Sequence, residues 1–403
     1  YATWWSGAGI EKRGSNVSYV HVNIGADNNG LRTPQLLEAA CYAYRLYGDP
    51  QDQHLVRRLM RGMSSWHLAM RRSASDTERG LLSRAAYPQS VTDTDRAIAI
   101  VYDASRPGID AEPSSYVHLP DNPLWPDLWV KNTRSKDDMG HEMRAVALLD
   151  ACDGRFTEAG AQDDLVEMRR LFQEWAQRVE RDDFHIATWD ADRQLFFPPG
   201  TLATYIVQDG IECQAEVAIR LLSRNDPYGS ECRNDGLGII PSDPIGGLTN
   251  STMQIVRTHH EAAVGLALVT GNGATAQQLA VGLARRLEGI LDRFEAGEMP
   301  DNANPQDFVQ LMLESASLGV PLTSREVRWL HARIEQAHAG YDVSRPEWNV
   351  RAAPDGDYVL EPGGPGIDFK DLGLPLGACV APYLNPAGRP ILDCDRVRAW
   401  ARR

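Results

Sequence analysis

Two short stretches of this chain gather side chains that can move protons. Asp137, Asp138, His141 and Glu142 fall within six positions, and Arg257, His259, His260 and Glu261 fall within five. On a helix, Asp138, His141 and Glu142, spaced by three and four, share one face. Such groups are costly to place in a core without partners, so their crowding points to acid–base work. Hydrolysis of a glycosidic bond with inversion is a reaction of this kind. One protonated carboxyl donates to the leaving oxygen, one carboxylate activates water, and the two stand about 6.5–9.5 Å apart. Two helices suit that gap, which places Asp138 or Glu142 on one side and Glu261 on the other, with His141 and His260 binding or orienting the substrate.

The same residues admit other chemistry. β-Elimination needs a base, a group that neutralises a carboxylate and an acid for the departing oxygen. Asn132, Arg134, His141, Tyr205 and His260 have the required types. Acids in a first helical turn also complement the helix dipole without any catalytic role, and Asp93, Asp95 and Asp307 lie near expected helix starts as well. His259 and His260 are adjacent and so point about 100° apart, a poor pair for one ion. A zinc site would need His141, one of the two and an acid from separate helices. Asp190 and Asp192 could hold calcium, but a plain turn accounts for them. The expectation is no metal and no cofactor.

The elements that must position these groups are helices, and they come in pairs. Thr33 caps and Pro34 starts a helix that Gly48 closes, followed by a charged helix over 51–72. A second pair runs from Ser135 to Gly154 and over 161–181, a third over 253–271 and 275–296, and a fourth over 305–318 and 324–338. The helix from Ile211 to Leu222 has no evident mate. First members are rich in small apolar residues and second members carry charge, which suits two concentric layers. The connections over 73–134, 182–210, 225–250 and 340–393 are long, and long loops often carry function. Val17 to Val22, Gln194 to Phe197 and Tyr358 to Leu360 read as strands too few for a central sheet. The fold class expected is all-α, one domain over 1–403, with 340–403 an irregular proline-rich tail packed on it.

The segment from Asn132 to Met143, N-T-R-S-K-D-D-M-G-H-E-M, resembles the Ser-Arg-Asp-like turn that opens an inner helix in bacterial (α/α) toroid enzymes, with Lys136 in place of the arginine. The likeness covers about a dozen residues directly and otherwise rests on the hairpin layout. It implies a toroid of five or six hairpins, (α/α)5 to (α/α)6, and a secreted enzyme acting on a carbohydrate polymer or oligosaccharide, either an inverting glycoside hydrolase or a polysaccharide lyase. Fold analogy alone does not choose between these and a non-catalytic glycan-binding protein. On the hydrolase reading, Arg257, His259, Asp137, Asn132, Arg134, Tyr205 and Trp129 join the substrate-binding set. Ten tryptophans include Trp4, Trp5, Trp125, Trp129 and Trp189 outside the helical stripes, where their flat faces would stack on sugar rings or anchor loops.

Charge narrows the partners. A net charge of −14 repels nucleic acid, anionic lipid and uronate polymers unless a local patch overrides it, and this ranks elimination second. Arg57, Arg58, Arg61, Arg71 and Arg72 form the densest basic stretch and read as a solvated outer face. No apolar run reaches the ~20 residues of a membrane span. The six cysteines include no C-x-x-C pair, so disulfides are expected: Cys41 with Cys152 across two helices, and Cys213 with Cys232 and Cys379 with Cys394 across short loops. The rival reading is six buried thiols. Together with a start at Tyr1 that lacks a leader, the cysteines suggest an exported product, secreted or periplasmic.

Overall fold

A computed structural model of the chain describes residues 8–13, 16–21, 29–88, 116–123, 128–131, 136–184, 186, 188–190, 195–197, 212–227, 250–298, 305–340, 348–352 and 358–362. Helices dominate them: α1 (Asn29–Tyr47), α2 (Pro50–Leu68), α3 (Lys136–Leu148, continued by a short 3-10 turn to Cys152), α4 (Ala161–Arg181), α5 (Glu212–Ser223), α6 (Asn250–Val269), α7 (Gly273–Ala296), α8 (Pro305–Ser317) and α9 (Ser324–Gly340). These are the expected helices, shifted by a few residues at their ends.

Local chemistry sets most boundaries. Gly48, with φ at 66°, closes α1 by donating to the Tyr44 carbonyl at 2.8 Å. The Asp49 side chain caps α2 by accepting from the Gln51 amide at 2.9 Å. One boundary differs from the sequence expectation: α1 starts at Asn29, which leaves Pro34 inside the helix and makes Thr33 an interior residue. A proline this near the start removes a single backbone bond. The added turn brings Gly30 onto α3, where a β-carbon would lie 2.8 Å from Asp138 Cβ.

Directions can be read from contacts between helices. Along α1 and α3, Gly30 meets Asp138, Glu38 meets Arg144, and Cys41 is bonded to Cys152. Along α3 and α6, Gly140 meets Thr258 and His259, Arg144 meets Glu261, and Ala147 meets Gly265. Along α6 and α8, Glu261 meets Ser315 and Gly265 meets Leu318. Residue numbers rise together in each pair, so α1, α3, α6 and α8 are mutually parallel neighbours. They form an inner layer whose helices all begin at one end.

A second layer runs the opposite way. Arg57 and His67 of α2 touch Asp164 and Phe172 of α4, so these two are parallel. The last turns of α4 and α5 meet where Arg220 and Ser223 bind Glu180. His260 of α6 meets Leu279 of α7 across a short turn, which makes that hairpin antiparallel. The division of labour follows composition. On α4 the stripe Leu165, Met168, Phe172, Trp175 and Val179 is buried, while Arg170 pairs with Glu167 at 2.8 Å and with Glu174 on the outer side. The basic stretch on α2 and the turn after it also pairs within the molecule: Arg57 with Glu158 at 2.6 Å and Asp164 at 2.5 Å, and Arg72, past the helix end, with Asp76 at 2.8 Å.

Close approach within the inner layer depends on small residues. A β-carbon on Gly265 would sit 2.8 Å from Ala147 Cβ and 3.0 Å from Leu318 Cδ2. Gly265→Val should therefore destabilise the protein by about 1–3 kcal/mol through overpacking. Gly289→Ala, on the exposed side of α7 with nothing nearby, should stabilise it by up to ~1 kcal/mol through helix propensity. Denaturant midpoints of the two variants check the contrast, and equal shifts would contradict it.

The strands are short and antiparallel. β1 (Ala8–Arg13) and β2 (Asn16–His21) form a hairpin joined to β9 (Tyr358–Pro362) and β8 (Trp348–Ala352) in the order β2-β1-β9-β8. β3 (Ala85–Pro88), β5 (Leu128–Lys131) and β4 (Tyr116–Leu119) make a second sheet, and β6 (Thr188–Asp190) and β7 (Leu195–Phe197) a third. The region expected as loop over 73–134 thus carries a sheet, and the tail expected as irregular carries two strands. One of them pairs with the start of the described chain. No helix among the described residues is long and apolar enough to cross a membrane. Cys41–Cys152 is the disulfide seen among the described residues. Cys232, Cys379 and Cys394 lie outside them, as does the side chain of Cys213.

Candidate functional site

The inner layer carries a polar cluster in its interior. Arg144 of α3 is fully buried and engages at least four of its five N–H donors. Its Nε donates to Glu38 Oε1 at 2.9 Å and one Nη2 hydrogen to Glu38 Oε2 at 3.1 Å. The other Nη2 hydrogen reaches His141 Nδ1 at 2.9 Å, and Nη1 donates to Glu261 Oε2 at 2.8 Å. The Ser315 hydroxyl of α8 donates to the second oxygen of Glu261. Gln35 of α1 places its amide nitrogen 3.5 Å from His141 Nδ1. Side chains of α1, α3 and α6 thus meet at one guanidinium, and α8 joins them through Glu261.

One cation facing two carboxylates cannot neutralise both. Burial raises the pKa of Glu38 and of Glu261 above the usual carboxylate range, opposed in each case by the Arg144 charge. Glu261 is pushed up to about 7, with the Ser315 hydroxyl also opposing the rise. Both acids therefore hold their protons to higher pH than exposed carboxylates do.

Nearer the start of α3, Asp138 and Glu142 are both buried and lie over Gly30 of α1. Arg84, just before β3, brings its Nε to 3.4 Å from Asp138 Oδ2. His259 is buried against Gly140. His260 faces the other way: its Nε2 donates to the Leu279 carbonyl of α7 at 2.7 Å. Burial, reinforced by the nearby Arg286 charge, lowers its pKa to about 3. It therefore stays neutral as a bridge between layers, with its ring facing α7 rather than the cluster in which it was expected to orient substrate. The two adjacent histidines diverge, as their 100° separation requires.

The structure brings together Asp138, His141, Glu142, His259 and Glu261 on α3 and α6. Arg257 and Asp137 sit on the same helices, but their side chains lie outside the described residues, as do the side chain of Trp129 on β5 and all of Asn132, Arg134 and Tyr205. Asp93, Asp95, Trp4, Trp5, Trp125 and Asp192 also lie outside them, as do the side chains of Asp190, Trp189 and Asp307. Sequence reading missed Glu38, Arg144, Ser315, Gln35 and Arg84. Among the described residues no group of three or more His, Cys, Asp or Glu side chains is arranged to hold a metal ion.

A groove of about 510 Å³ lies elsewhere, on the outer side between α6, α7 and the turn leading into α9. Leu268, Ala280, Val281, Leu318 and Glu326 help to line it. It contains none of the candidate acids or imidazoles. No family model matches the chain, and no curated protein or solved structure shows significant similarity to it.

Proposed function

We propose that this chain is an exported carbohydrate-active enzyme, built as a toroid of helical hairpins, that hydrolyses a glycosidic bond with inversion. The observation that carries this reading is the parallel inner layer, which gathers Asp138, His141 and Glu142 of α3 with Glu261 of α6. Helix pairs that repeat the same inner and outer directions are the units from which a closed ring is built, and the disulfide suits an oxidising compartment.

Catalysis needs two carboxyls with opposite protonation. Glu261, raised to about 7 by burial and enclosed in the free protein, is the proton donor to the leaving oxygen once substrate opens the inner layer and displaces the Ser315 hydroxyl. Asp138, beside the Arg84 guanidinium, is the carboxylate that activates water, and Glu142 one turn further binds the sugar. Arg144 holds the Glu261 carboxyl in place, and Ser315 does so until substrate enters. A donor that must be protonated gives kcat/KM that falls about tenfold per unit above pH 7.

The test is reducing-sugar release from a panel of neutral and acidic glycans. Asp138→Asn and Glu261→Gln should each lose about 10²–10⁴-fold of the wild-type rate. Unchanged activity in both variants removes the assignment. A product absorbing in the ultraviolet on uronate polymers would replace hydrolysis by β-elimination, and tight glycan binding without turnover would replace catalysis by recognition.

A further inference from the structure

His141 lies beside the Arg144 guanidinium, and that contact decides which form its ring can take. Nδ1 receives a guanidinium N–H at 2.9 Å, and the Gln35 amide nitrogen stands 3.5 Å away on the side of α1. Arg144 has donors only and never gives up its proton in a protein. An N–H on Nδ1 would thus face an N–H of a cation, whereas a lone pair there completes a charge-assisted hydrogen bond. The guanidinium is itself fixed by both oxygens of Glu38 and one oxygen of Glu261, and all three side chains are buried.

We infer that Arg144 is a positioning residue that holds His141 as the neutral imidazole carrying its proton on Nε2, so that His141 meets the substrate as a hydrogen-bond donor and never as a proton acceptor. The charged and titratable groups on the elements packed here are Glu38 of α1 and Glu261 of α6, both bonded to the guanidinium, with Glu142 and the Arg84-paired Asp138 on α3 itself and His259 on the α6 face that meets Gly140. The acids would favour an imidazolium by charge, but the cation at 2.9 Å from Nδ1 directs its own N–H there and disfavours a hydrogen on that nitrogen. In a polysaccharide site a fixed N–H donor selects a sugar hydroxyl or ring oxygen as its partner. This role rests on the inner-layer site proposed above, whereas the tautomer does not.

The two can be tested apart. Nitrogen NMR of the histidine-labelled wild-type protein, with His141 assigned by the signal missing in His141→Gln, should show a neutral ring protonated at Nε2 that does not titrate between pH 5 and pH 8. A ring protonated at Nδ1, or one that titrates in that range, overturns the inference whether or not the protein hydrolyses any glycan. Arg144→Lys, which keeps the charge but loses the fork, should release the ring, so that a titration appears in the spectrum. On an active substrate, His141→Gln should lower kcat/KM by about 10- to 100-fold, the worth of one buried hydrogen bond, and leave the fall above pH 7 in place. Loss of that limb in the variant would make His141 the titrating group and overturn the donor role.

Discussion

Arg144→Met is expected to destabilise the protein by about 3–5 kcal/mol at pH 8, because it strands two buried carboxylates that now share one guanidinium. No solvent reaches the cluster to screen the loss, since Arg144 and Glu261 are fully buried. The penalty should shrink at lower pH. Glu261 has a raised folded pKa, so between the ordinary value near 4.5 and about 7 the folded state binds more protons than the unfolded chain. The stability tied to it is therefore complete below pH 4.5 and is lost as pH rises through 7. In the variant both acids rise further, so the slope steepens and the loss at pH 5 is the smaller one. Denaturant unfolding at pH 5 and pH 8 measures both values. Adding Glu38→Gln and Glu261→Gln should recover part of the loss, because the charges that needed Arg144 are gone. A loss that does not change with pH would contradict this account.

Removing the disulfide with Cys41→Ala and Cys152→Ala should cost about 2–5 kcal/mol. The bridge spans 111 residues and ties α1 to the turn that ends α3. A loop of that length has much closure entropy to lose in the unfolded chain, and about 4.7 kcal/mol is the expectation for 100 residues. Alanine is the suitable replacement because both cysteines are buried and serine would add an unpaired hydroxyl. Guanidinium unfolding of the wild type with and without reductant, next to the double variant, gives the value twice over. The reduced wild type and the variant should agree, and a difference below about 1 kcal/mol from the oxidised protein would contradict the estimate.

Both effects sit at places that were unequally visible in the sequence. The hairpins were legible because apolar spacing and caps such as Asp49 and Gly48 act locally. Cys41 with Cys152 was the pairing that remained once the other four cysteines were assigned to short loops. Arg144 and Glu38 were not noticed, although each is a charge in an otherwise small and apolar stretch, Arg144 between Met143 and Ala145 and Glu38 between Leu37 and Ala39. A charge in such a setting needs a partner in the core, and two such charges of opposite sign on inner helices were the available signal. The facing of His260 was not legible because it depends on the rotation of α6 against α7, which no spacing within α6 determines. The short strands of the second sheet escaped because four residues of pairing depend on partners more than on local propensity.

The parallel inner layer also has a bearing on how the chain is made. Helices that run side by side in one direction cannot be sequence neighbours, and Glu38 is separated from Arg144 by 106 residues and Arg144 from Glu261 by 117. At about 5–20 residues per second, a ribosome that has just finished α3 needs on the order of 6–20 s before Glu261 emerges. During that interval Arg144 has Glu38 but not its second acid, and the inner helices lack half of their company. Local hairpins can form early, whereas closing loops of this length comes late, so the ion cluster is among the last features a nascent chain completes.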